Sequence, residues 1–224
     1  MTETVIFILE IIGTIAFAWS GAITGIKKEM DVFGVVILGM VTAVGGGIIR
    51  DVVLGKTPPN TFLNPVYGLV AMAVAIIAFI PYVRRQFLKH LKRNDISMMI
   101  LDSLGLGIFT AVGIGVAHEI AEFNIMLYTF VGVITGVGGG VLRDVMAGQT
   151  PYIFVKHFYA SASLLGALLT IALIKPLGIT PAMLIGAVLV IVLRFLAAYF
   201  HWSLPKAVDL LKKTPEHSQN ETKQ

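Results

Sequence analysis

The chain is 224 residues long, 56% hydrophobic and only 13% charged, with a mean hydropathy of +0.86, whereas soluble domains carry about 25% charged residues. An ordinary soluble domain is excluded, and a membrane protein is indicated. The formal charge of +4 falls in short basic clusters between apolar runs, which argues against a nucleic-acid surface, and the absence of cysteine excludes disulfides and thiolate metal sites.

A bilayer core of about 30 Å needs roughly 20 apolar residues per helix. Seven segments meet that length: Val5 to Ile26, Val32 to Leu54, Pro65 to Val83, Ile96 to Ala117, Ile125 to Ala147, Phe154 to Ile174 and Thr180 to Trp202. The first lacks a basic n-region and a small-residue cleavage site, so it reads as a membrane helix and not as a removed signal. Beyond Trp202 the tail is polar, with Lys206, Lys212, Lys213, Glu216 and Glu221, and is expected to be a cytoplasmic, disordered end.

Loop charges set the orientation. Arg84, Arg85, Lys89, His90, Lys92 and Arg93 form the strongest basic cluster, which the positive-inside rule places in the cytoplasm. Lys27 and Lys28 then fall inside, Glu3 outside, the His118, Glu119, Glu122 loop outside and the tail inside. The expected protein is a multi-pass one of the plasma or inner membrane, with its N-terminus outside and its C-terminus cytoplasmic.

The second span carries TAVGGGIIRDVVLGKTP from Thr42 to Pro58, and the fifth carries TGVGGGVLRDVMAGQTP from Thr135 to Pro151. The match extends outward: Glu10 and Gly13 pair with Asp102 and Gly105, Phe17 and Gly21 with Phe109 and Gly113, Phe62 and Tyr67 with Phe154 and Tyr159. A three-helix unit is therefore expected twice, at 4–83 and 96–174, followed by a seventh helix at 180–202 and the tail at 203–224. An odd number of spans per unit turns the second upside down, and such inverted repeats place substrate or ion sites near the midplane, at interrupted helices.

Each glycine in a helix interior costs about 1 kcal/mol relative to alanine, so Gly45, Gly46, Gly47 and Gly138, Gly139, Gly140 are expected to bend or break their helices. Freed carbonyls inside a membrane must face protein or a watery cavity, which suits them to a cation path. The alternative is close helix packing. Arg50 and Arg143 follow the triplets by three residues, and charges at such depth usually face the bundle interior. Asp51 and Asp144 adjoin them, but neighbours in sequence do not face each other on a helix. The symmetric expectation is therefore an exchange, Arg50 with Asp144 and Arg143 with Asp51, with pairing inside a broken helix as the other option. Glu10, Asp102 and Ser103 are candidates to line the path or to partner the arginines. Thr42 and Thr135 offer hydroxyl oxygens to the path or to their own backbone. Arg194, mid-span in the seventh helix, reads as a snorkelling residue or an intersubunit partner.

Soluble chemistries fail on spacing. GKT at Gly55 to Thr57 would need a glycine where Arg50 stands to complete a phosphate loop, and neither GLGIFT nor GVGGGV completes a dinucleotide fingerprint. His90, His118, His157, His201 and His217 are scattered without ligand spacing. No catalytic constellation, cofactor or resident metal is expected, and the chain does not read as an enzyme.

With VGGGIIRDVVLGKTP and VGGGVLRDVMAGQTP in the second and fifth of seven spans, the sequence resembles the trimeric intracellular cation (TRIC) channel family in its prokaryotic branch, which overlaps the glycine-transporter-domain membrane proteins. The resemblance covers about residues 4 to 202. It implies a homotrimer, each protomer holding its own pore lined by kinked second and fifth helices, conducting potassium and sodium in contact with membrane lipid. It makes the glycine triplets the kinks, and Arg50 and Arg143 the basic residues that follow. The residues alone also admit a secondary transporter of a small zwitterion such as glycine, since an Arg-Asp pair suits a carboxylate and an ammonium.

Overall fold

The structure, a computed structural model, describes residues 2–85, 96–155 and 158–202. The basic loop from Lys89 to Arg93, His157 and the tail from Ser203 onward, on which parts of the topology argument rest, lie outside the described residues. All regular secondary structure among the described residues is helical.

The first half comprises α1 (Thr2–Lys27), α2 (Val32–Val53), a single turn α3 (Asn60–Leu63) and α4 (Val66–Phe79). The second repeats that order with α5 (Ile96–Ile120), α6 (Ile125–Met146), the turn α7 (Tyr152–Val155) and α8 (Ala160–Leu177), and α9 (Ile179–Tyr199) follows. The start signals match as well. Asp31 accepts from the Gly34 N–H at 2.7 Å and Asn124 from the Leu127 N–H at 3.0 Å, each satisfying a donor left open at the start of α2 or α6.

Six of these helices are long and apolar enough to cross a membrane, and α4 is a shorter apolar helix of 14 residues. The third expected span thus ends early. Pro81 is the reason: it forces Ile80 out of helical geometry, to φ −54° and ψ 129°, and helical backbone resumes only at 81–85. The sixth span starts later than the apolar run suggested, at Ala160, because Tyr152–Val155 forms its own turn.

Large apolar side chains such as Phe7, Ile12, Leu165 and Ile185 stay exposed on the outer faces, as lipid contact requires, while the interior is dominated by alanine and glycine. Aromatic rings fill the glycine notches reciprocally. A Cβ on Gly105 would overlap the Phe17 ring, and one on Gly13 would come within 2.9 Å of the Phe109 ring. The two rings also contact each other, with centroids 5.3 Å apart.

Candidate functional site

The glycine triplets explain the packing of α2 on α6. Neither helix breaks: both run uninterrupted across the triplets. Of the two expected outcomes, a bend or a break, continuous helices leave only the bend, because tertiary packing offsets the local propensity cost of glycine. A Cβ on Gly46 would overlap the Thr135 carbonyl, a Cβ on Gly139 would overlap the Thr42 carbonyl, and a Cβ on Gly138 would lie 3.1 Å from Gly46 Cα. Only residues without side chains let these two backbones touch. Gly45 is similarly closed off by Leu142, at 2.5 Å from a would-be Cβ.

Gly47 and Gly140 differ from their neighbours. Around Gly47 the nearest atom is Arg50 Nη2 at 3.8 Å, and around Gly140 lie Tyr159 Oη at 3.1 Å, Arg143 Nη2 at 3.9 Å and Asp102 Oδ1 at 3.9 Å. The first two glycines of each triplet make the crossing, and the third leaves space beside a guanidinium.

Sequence numbers run oppositely along the contact, Gly46 against Thr135 and Gly139 against Thr42, so α2 and α6 cross antiparallel. Both arginines lie beyond the crossing toward their helix C-termini. They are therefore on opposite sides of it, each roughly 9 Å from its centre at 1.5 Å per residue.

Each arginine is held by two carboxylates. Arg50 Nε donates to Asp51 Oδ1 at 2.8 Å, and its Nη1 donates to Glu10 Oε1, on α1, at 3.2 Å. The hydroxyl of Tyr67, on α4, donates to the other Glu10 oxygen. Arg143 Nε donates to Asp144 Oδ1 at 2.8 Å, and its Nη1 to Asp102 Oδ1, on α5, at 2.7 Å and to the Ser20 hydroxyl on α1. The Tyr152 ring covers this guanidinium at 5.2 Å. Charges this deeply buried persist only when paired and hydrogen-bonded.

The expected exchange between Arg50 and Asp144, or Arg143 and Asp51, is not what forms. Each arginine curls onto its own sequence neighbour, which a long side chain reaches in the last helical turn. The second oxygen of each aspartate also has a local task. Asp51 Oδ2 accepts from the Asn60 N–H at 2.8 Å and Asp144 Oδ2 from the Tyr152 N–H at 2.9 Å, tying the start of α3 or α7 back to the preceding helix.

The threonine hydroxyls go to their own backbones, Thr42 to Leu38 O and Thr135 to Val131 O, both at 2.6 Å. They also press on Gly21 and Gly113, whose added Cβ atoms would meet the hydroxyl oxygens at 2.5 and 2.6 Å. Ser103 is buried, and its hydroxyl has no partner. Arg194 does not snorkel: it is buried, with its guanidinium carbon 4.8 Å above the Tyr159 ring. Among the described residues no cluster of three or more His, Asp or Glu could hold a metal ion.

Sequence reasoning missed Ser20 and the direct roles of Tyr67 and Tyr152. Tyr67 carried a signal, since it pairs with Tyr159 in the repeat. Ser20 carried none, because its counterpart position in the second half is Val112.

A sequence model of the family described as Glycine transporter matches this chain twice, at residues 7–82 and 99–175. The UPF0126 inner membrane protein YadS of Escherichia coli (strain K12) is 35% identical over 203 residues, covering 89% of this chain and 95% of the relative. A solved prokaryotic TRIC channel superposes with a TM-score of 0.82 at 31% identity, over 90% of this chain and all of that one. The TRIC trimeric intracellular cation channel orthologue from Rhodobacter sphaeroides gives 0.78 at 33% identity, over 89% and 100%.

Proposed function

The chain belongs to the family of the TRIC channels and matches the Glycine transporter sequence model over both halves, and from that premise we propose that it is a monovalent cation channel of the cell membrane. The observation that carries this reading is the pair of buried clusters on either side of the α2–α6 crossing. Each sets one guanidinium against two carboxylates. Among the directly paired groups each cluster carries a formal excess of one negative charge, which favours a cation over an anion along the path between them.

In this reading the path runs within one protomer, past Gly47 and Gly140, where the helix surface has no side chain. Arg50 and Arg143 obstruct it and are held aside by Glu10, Asp51, Asp102 and Asp144. The glycines of the crossing and the two threonines supply rigidity more than ligand oxygens. The two halves form an inverted repeat, a reading supported by the antiparallel crossing and by the double family match. Potassium and sodium as the ions, a homotrimer, membrane lipid as surroundings and an outside N-terminus complete the proposal.

A second reading, secondary transport of a small zwitterion such as glycine, is favoured by the family model's description and by the Arg–carboxylate pairs, which complement a carboxylate and an ammonium. The test is purified protein in planar bilayers and, in parallel, in liposomes. The channel reading expects unitary currents that do not saturate with glycine. Absence of current together with saturable, competable glycine uptake would replace it with the transporter.

A further inference from the structure

The second cluster has a neighbour that the first lacks. Arg194, on α9, is buried and makes no ion pair among the described residues, and its Nε has no hydrogen-bond partner. Its guanidinium lies over the face of Tyr159, at 4.8 Å. The far end of that tyrosine is at the Arg143 site, since Tyr159 Oη lies 3.1 Å, and Asp102 Oδ1 3.9 Å, from the same point above Gly140. One aromatic ring thus separates the Arg194 cation from the second cluster.

The neighbouring helix points to the same place. Along α5 and α9, a Cβ on Gly115 would meet Met183 and one on Gly107 would meet Ala187 and Ile191, an antiparallel register. One more turn of each helix brings Ser103 level with Arg194. Ser103 Oγ, Tyr159 Oη, Asp102 Oδ2 and Arg194 Nε are all buried polar atoms without a partner. Buried polar groups are rarely left unpaired, and these four lie on α5, at the start of α8 and on α9, beside the second cluster. Arg50 is the one cation in contact with Glu10 and Asp51 among the described residues, and Lys56, just beyond α2, has its side chain exposed.

We propose that Arg194 is a resident countercharge that neutralises the second cluster, so that the two halves of the permeation path differ by one unit charge and the cluster of Glu10 and Asp51 is the preferred cation site. Arg194 is a positioning residue: it acts through the field it imposes on Asp102 and Asp144 and does not itself touch the ion. This inference rests on the cation-channel reading for its electrical readout and on ion occupancy alone for its equilibrium readout.

The test uses the full chain as wild type, Arg194→Gln, Arg194→Lys and Glu10→Gln. In planar bilayers under a potassium chloride gradient, Arg194→Gln is expected to raise the potassium-over-chloride permeability ratio by roughly five- to tenfold and to change the rectification. That is the order of the effect of one buried unit charge at an effective dielectric between those of protein and water. Arg194→Lys should restore the wild-type values, and Glu10→Gln should lower the ratio. Wild-type currents with an unaltered ratio and rectification in Arg194→Gln would overturn the countercharge and leave the channel standing.

If wild type carries no current, the channel reading fails, and the countercharge is judged from thermal melts in potassium against N-methylglucamine at equal ionic strength. Arg194→Gln must then gain potassium-dependent stabilisation over wild type, and an equal shift in both refutes the idea. If Arg194→Gln does not fold, Glu10→Gln decides by either readout. The inference requires it to lose the larger share of rectification or potassium-dependent stabilisation, and wild-type behaviour from it is a refutation.

Discussion

The Arg50 and Arg143 clusters are built on one plan and finished differently. Both place an arginine and an aspartate in the last turn of a long helix, use the second aspartate oxygen to hold the following turn, and add a carboxylate from a neighbouring helix. In the first that carboxylate is Glu10, long enough to receive the Tyr67 hydroxyl as well. In the second it is Asp102, one methylene shorter, and the Tyr159 hydroxyl is left unpartnered while Ser20 completes the guanidinium. Burial differs too: the Glu10 side chain is 10% exposed, against 1% for Asp102 and Arg143. What recurs is the part that fixes the backbone, and what diverges is the part that sets charge and access. The two sites are therefore expected to share a structural role and to differ in how they hold an ion.

The strongest way to break this comparison is to remove each arginine. Arg143→Ala strands two buried carboxylates and is expected to cost about 3 to 5 kcal/mol, whereas Arg50→Ala should cost less, because Glu10 is less completely buried than Asp102 and keeps Tyr67. Thermal melts of the two variants in one detergent check the order, and equal losses would show that the burial difference has no energetic weight.

Gly139→Ala and Gly46→Ala probe what the halves share. Each new methyl would overlap a backbone carbonyl across the crossing, so both should lose about 3 kcal/mol or fail to fold. Gly47→Ala, whose methyl meets only the end of Arg50, should fold normally, and size-exclusion profiles of the three variants check the difference.

The tyrosines sharpen the contrast at the level of one oxygen. Tyr67→Phe removes a buried donor to a carboxylate and should cost about 1 to 3 kcal/mol. Tyr159→Phe deletes a hydroxyl that has no partner and should be neutral by the same melts. Ser20→Ala, which takes one of several hydrogen-bonding groups from around Arg143, should cost about 1 kcal/mol.

The plan was legible in the sequence and the finish was not. The duplicated glycine phrase, the pairing of Glu10 with Asp102 and of Tyr67 with Tyr159, and the inward facing of both arginines follow from pattern and hydropathy alone. The unbroken helices do not, because glycine propensity is a local cost and the backbone contact that offsets it is made with a helix about 90 residues away in sequence. The Arg50–Asp51 contact also departs from the rule for helix neighbours, which describes where side chains leave the helix surface and not how far an arginine in a last turn can curl back. Ser20 and Arg194 lie outside the repeat's symmetry, and only the placement of α1 and α9 against α6 and α5 brings them to the site.

The central claim is that the carboxylate-rich clusters beside the crossing, that of Glu10 and Asp51 foremost, select cations. The reversal potential of the wild-type protein in a planar bilayer under a potassium chloride gradient tests it most directly. The account predicts a value near the potassium equilibrium potential, shifted toward zero in Glu10→Gln. A value at the chloride equilibrium potential, or no current at any voltage, would contradict it.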